Sequence, residues 1–179
     1  MSEKNVFGWK KEDSSPKTYS FQYSPKLVGK ITRKGFWSPD GSAQIGSRKL
    51  RFMSNGKADM NLTIYDATTE DVVGKLHFYW KDFQRSKLEI TDGNTYSFRS
   101  YDLFRGAWCW IKDKSPAEQF IFRVDNPFHR SGSIENASSK DLPDLERDIL
   151  LLLGLHMQHY LNSWLMTLVL VVAGIISGS

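Results

Sequence analysis

Lys75-Leu76-His77-Phe78-Tyr79-Trp80, residues 75–80, changes at every step between an apolar side chain and a polar or amphipathic one. A period of two puts one set of side chains on a dry face and the other on a wet one, which marks a half-buried β-strand. The alternation extends in both directions over residues 50–124. Upstream lie Leu50 and Phe52 around Arg51, then Met60, Leu62 and Ile64 around Asn61 and Thr63, and Val72. Downstream lie Leu88 with Ile90, Tyr96 with Phe98, Trp108 with Trp110, and Phe120, Phe122 and Val124. Residues 18–23, 26–32, 42–46 and 132–136 are shorter candidates, giving roughly ten to twelve strands. Asp40-Gly41, Asn55-Gly56 and Asp92-Gly93 supply positive φ for tight hairpins, so neighbouring strands are expected to be antiparallel. Strands with one wet face in this number close most easily as a barrel. Leu62, Ile64, Leu76, Phe78, Leu88, Ile90, Phe98, Phe120 and Phe122 are expected to point inward.

The 179 residues suffice for one well-packed core and are too few for two comfortable domains. An aromatic content of 13% points the same way as the periodicity, because large rings favour pleated, half-buried surfaces. A net charge of +4 without long basic runs permits contact with phosphate or anionic lipid but argues against a nucleic-acid partner. Cys109 is the only cysteine, so no intramolecular disulfide forms, and residues 1–15 are charged and lack the apolar stretch of a signal peptide. The domain is therefore expected in the cytoplasm, where the sequons at Asn61 and Asn136 carry no glycan. The first 16 residues read as a polar leader.

After Ser138 the pattern changes. Asp141, Pro143, Asp144 and Glu146 form a helix start, with a capping acid, a first-turn proline and negative charge where the helix dipole favours it. From Ile149 onward the helix is apolar on nearly every side, so protein or lipid must sheathe it. One continuous helix over residues 149–176 would be about 42 Å long, well beyond the roughly 30 Å of a bilayer core. His156, Gln158, His159, Asn162 and Ser163 divide it into residues 142–160, about 28 Å and able to thread a barrel, and residues 161–176, about 24 Å and free of charge. The resulting plan is a leader at 1–16, a barrel over 17–160 with its central helix at 142–160, and a hydrophobic tail at 161–179 expected to attach the barrel to a membrane. Packing of the tail on the barrel or on a second copy is the alternative.

This arrangement resembles the tubby-like β-barrel superfamily, which includes tubby C-terminal domains, phospholipid scramblases and the LURP-one-related proteins. The residues that carry it are the alternating runs over 50–124 and the helix Asp144-Leu145-Glu146-Arg147-Asp148-Ile149-Leu150-Leu151-Leu152-Leu153-Gly154-Leu155. The resemblance implies an all-β fold of about twelve antiparallel strands closed around a hydrophobic C-terminal helix. It also implies binding of anionic phospholipid headgroups by basic side chains on the barrel exterior. The scramblases' acidic calcium-binding segment and cysteine-rich stretch have no counterpart here, so calcium-activated scrambling is not implied.

Lys30, Arg33, Lys34, Arg48, Lys49 and Arg51 are the candidates for contact with anionic lipid, since neighbouring hairpins could gather them on one outer face. A solvated face resisting edge pairing is the competing explanation. Little points to catalysis: Cys109 sits between Trp108 and Trp110 in an aromatic strand, and His156 and His159, three apart on a helix, lack a partner cluster for a metal. There is no phosphate-binding loop, dinucleotide motif or HExxH, and no cofactor is expected. The expectation is a non-enzymatic lipid- or partner-binding module; an enzyme with an aromatic-lined pocket and a purely structural accessory protein are the alternatives.

Overall fold

The structure, a computed structural model, describes residues 5–15, 17–55, 61–79, 85–102, 105–125, 130–138 and 142–177. Among the described residues it contains twelve strands and one helix. The strands are β1 (Asn5–Lys11), β2 (Thr18–Ser24), β3 (Leu27–Arg33), β4 (Gly41–Ile45), β5 (Arg48–Ser54), β6 (Leu62–Asp66), β7 (Val72–Phe78), β8 (Arg85–Ile90), β9 (Thr95–Asp102), β10 (Ala107–Lys112), β11 (Ser115–Val124) and β12 (Ser131–Asn136). Each pairs antiparallel with its sequence neighbours, and β1 pairs with β12 to close the barrel. Closure leaves no sheet edge to pair with another chain.

The alternation holds at the positions expected to point inward, while Val72 is exposed and Thr63, Cys109 and Ile121 are buried between inward residues. Leu62, Ile64, Leu76, Leu88, Ile90, Phe98, Phe120 and Phe122 are all buried against the helix. Phe78 is half-buried at the end of β7, where its ring meets Tyr160 at 6.1 Å. The expectations for Met60, Trp80 and Asp141, and for the Gly56 half of the Asn55-Gly56 turn, lie outside the described residues.

The reading of residues 1–16 as a leader is corrected over residues 5–11, which form β1. This strand hydrogen-bonds to both β12 and β2 and turns Phe7 and Trp9 into the core. Val6 is exposed and its other side chains are polar or small, so only two alternating apolar positions, Phe7 and Trp9, marked the inward face in the sequence. Asp40-Gly41 is likewise not a hairpin turn. Gly41 opens β4 opposite Arg33 and Phe52, and residues 34–40 form the loop before it. The tight turn of this region is Gly46-Ser47, where Gly46 adopts φ 55°. Asp92-Gly93 does turn as expected, with Gly93 at φ 85°.

The helix α1 (Asp144–Ser177) is continuous for 34 residues. Every residue from 148 to 163 is buried, about 24 Å of helix, comparable with the length of the seven-residue strands β1, β2, β3, β5 and β7. The polar group at 156–163 is therefore not a break between two helices. It lies inside the barrel, and the boundary between buried and emergent helix falls after Ser163 rather than at Tyr160.

The acidic first turn does more than oppose the helix dipole. Buried Glu146 accepts bonds from Asn94 Nδ2 at 2.6 Å and from the Tyr96 hydroxyl, whose pKa is raised by burial and by that carboxylate. Asp148 receives Arg48 at 3.0 Å and Arg147 at 2.7 Å. Both acids are anchored to the wall at the end where the helix enters.

Candidate functional site

The two ends of the barrel differ. The entry end is closed by short turns such as Gly46-Ser47 and Asp113-Lys114. The exit end carries the longer β3–β4 loop, and there the wall binds the helix through a set of polar groups. His156 Nε2 lies 2.7 Å from the Pro39 carbonyl. Gln158 and Asn162 donate to the Gly106 carbonyl at 3.1 and 3.2 Å, and Trp108 donates to Asn162 Oδ1 at 2.9 Å. His159 stacks on Tyr19 with centroids 3.6 Å apart.

These contacts assign the histidines. His156 faces Pro39 and Phe52, whereas His159 faces Tyr19 and Trp9, so they address different walls. Among the described residues no group of three His, Cys, Asp or Glu could hold a metal. Cys109 is buried, and burial followed by the Glu118 charge pushes its thiol up to about 11, leaving it protonated at neutral pH.

Burial lowers the pKa of His156 to about 4; the Arg33 charge acts with burial, while the Pro39 carbonyl and Asp40 oppose it. The unfolded imidazole titrates near 6.5, so stability from the neutral ring is full above that pH and is lost as pH falls toward 4. From pH 7 to pH 5 the loss is about 2 kcal/mol. His156→Gln, which has no proton to gain, is expected to lose less stability over the same interval. Urea midpoints of both chains at the two pH values measure this, and parallel losses would show that another group titrates.

The basic candidates separate into two groups. Arg33 and Arg48 turn inward, Arg33 being only 5% exposed and Arg48 bound to Asp148. The other four stay at the surface, and the register sets Lys30, Gln44 and Lys49 in one row across β3, β4 and β5. Lys30 pairs with Glu12 at 2.9 Å, Lys34 with Asp40 at 3.4 Å, and Arg51 with Glu70. Among the described residues Lys49 has no anionic partner. Three of the four surface cations thus carry an anionic partner, and Arg33 and Arg48 do not share their outer face.

A different grouping appears at the exit end. The ends of β3, β4 and β5 enclose an open cleft of about 290 Å³ lined by, among others, Thr32, Arg33, Lys34, Asp40, Ser42 and Arg51. Arg33 spends its terminal nitrogens on the His159 carbonyl at 3.3 Å, Ser163 Oγ at 3.1 Å and the Phe36 carbonyl at 2.5 Å. Its Nε, like that of Arg51, is buried and has no acceptor among the described residues. Burial would raise the Asp40 carboxyl, but bonds from Ser54 and Lys34 overcome this and hold it below the ordinary range.

Beside this cleft the helix emerges. Beyond Ser163, Met166 is 44%, Val169 62% and Val171 54% exposed. At about 100° per residue, Val171 lies on the side of the helix opposite Val169, so the exposed apolar surface is not one stripe. Phe36 and Trp37, also exposed, stand next to it on the β3–β4 loop. The sequence signal for them was two adjacent rings inside Gly35-Phe36-Trp37-Ser38-Pro39, where turn residues interrupt any burying alternation. Among the described residues no helix is long and apolar enough to cross a membrane. No family model, curated protein or solved structure matches the chain.

Proposed function

We propose that the protein is a non-enzymatic, tubby-like barrel that docks on the cytoplasmic face of a membrane by its exit end, with anionic phospholipid headgroups as ligands of the β3–β5 cleft. The observation that carries this is the emergent helix, uncharged over residues 164–177 and exposing apolar side chains on opposite sides. A one-sided protein groove would cover a single stripe, whereas lipid surrounds a helix. Residues 164–177 make about 21 Å of helix, enough to enter a bilayer core of roughly 30 Å without crossing it. The cations Arg33, Lys34 and Arg51 among the cleft's lining residues support an anionic ligand, because guanidinium and ammonium groups bind phosphate oxygens through charge-assisted hydrogen bonds. The helix filling the lumen supports a binding module over an enzyme with an interior pocket.

Flotation of the full chain with vesicles tests this. The wild type is expected to float with neutral phosphatidylcholine vesicles even in high salt, with an added salt-sensitive component when anionic lipid is included. Val169→Asp combined with Val171→Asp is expected to lower binding at least about tenfold, since charge within the hydrocarbon costs well over 1.4 kcal/mol. A double variant that floats like the wild type would remove the proposal.

A further inference from the structure

We infer that the β3–β4 loop is a second membrane-inserting element, its Phe36 and Trp37 entering the interfacial layer beside the helix and setting the orientation of the barrel. This rests on the docking proposed above. The two rings are 53% and 47% exposed and meet edge to face at 4.8 Å, an uncommon exposure for adjacent large aromatics. They are held there by the helix. Trp37 packs on Trp164 at 5.1 Å, the first residue past the buried stretch.

Arg33 binds the Phe36 carbonyl on one side and the His159 carbonyl and Ser163 Oγ on the other, and His156 holds Pro39. The loop is thereby tied to the helix on both sides of its aromatic tip. Loop and helix present one platform, with Trp37 at the depth of the first emergent turn. Aromatic rings of this kind settle where one end meets hydrocarbon and the other meets headgroups. With Trp37 at that level, the roughly 21 Å of helix beyond it passes the midplane and stops short of the far headgroup layer. Lys17, which donates to the Lys34 carbonyl at 3.2 Å, and Lys34 stand at the root of the loop, where lipid phosphates would face them.

The test uses the full chain and phosphatidylcholine vesicles with nitroxide placed either near the headgroup or deep in the acyl chains. The quenching lost on replacing Trp37 by Phe is expected to be larger with the shallow label. Phe36→Ser with Trp37→Ser is expected to weaken flotation by about tenfold or more, and Phe36→Tyr with Trp37→Tyr to restore most of it. If the serine variant does not fold, the quenching difference and the tyrosine variant decide. Serine variants that float like the wild type, while Val169→Asp with Val171→Asp does not, would overturn the loop's role and leave the helix docking intact. A wild type that never floats, or that only associates with itself, would overturn both.

Discussion

Leu152→Asp is expected to leave the chain without a cooperative fold. Leu152 is fully buried, in the middle of a helix whose residues 148–163 are sealed by the barrel wall. A carboxylate there would enter the apolar core cluster of the barrel. The charge must be neutralised or the helix expelled, at a cost of several kcal/mol against a total stability of about 5–15 kcal/mol. The native acids define the contrast. Glu146 and Asp148 are also buried, but they lie at the entry end, where Asn94 and Tyr96, or Arg48 and Arg147, satisfy them. Leu152→Ala, which removes only volume, should cost about 2–5 kcal/mol and keep the fold. Far-UV circular dichroism, size exclusion and urea unfolding distinguish the two variants. A folded, monomeric Leu152→Asp chain with the wild-type midpoint would mean that the helix is not the core of the barrel.

Gly154→Val is expected to be nearly as damaging, in a direction that helix propensity alone gets wrong. Glycine within a helix is less favourable than alanine by about 0.8–1.0 kcal/mol, so the local rule calls any side chain here an improvement. Space decides otherwise. A Cβ on Gly154 would come within 2.3 Å of the Phe122 ring and 2.5 Å of Trp110 Nε1. Neither ring can step aside, since both are fully buried and Trp110 donates to the Leu150 carbonyl at 2.8 Å. Alanine should therefore destabilise by about 1–3 kcal/mol despite its propensity, and valine by more, because overpacking displaces backbone or breaks that bond. Thermal or urea unfolding of the two variants checks the order. An alanine variant more stable than the wild type would show that the wall yields to the helix at this point.

Much of the fold was legible because a two-residue period is a local property. Leu50 and Phe52, or Phe120 and Phe122, declare their face without any knowledge of what lies opposite. The same rule held information that a reading of charge clusters passes over. Arg48 shares its side of β5 with Leu50 and Phe52, and Arg33 shares its side of β3 with Gly29 and Ile31, so neither belonged on an outer patch. Phe7 and Trp9 obey the rule as well, although a strand with two apolar positions among polar ones resembles a leader.

What the sequence determined by itself was the class: a barrel of alternating strands, and a helix apolar on all sides that had to be enclosed. Both follow from side-chain chemistry at short range. The tertiary structure alone decided which partner each polar group meets, because those partners are distant in the chain and are chosen by strand register and by the depth of the helix. Arg48 finds Asp148 one hundred residues away, and Arg33 finds His159 and Ser163 across the lumen. That depth also turned the polar group at 156–163 from an apparent break into the bonds that fasten helix to wall. It brought Trp37 beside Trp164, and so placed the emergent helix, the aromatic loop and the cleft at one end of the barrel.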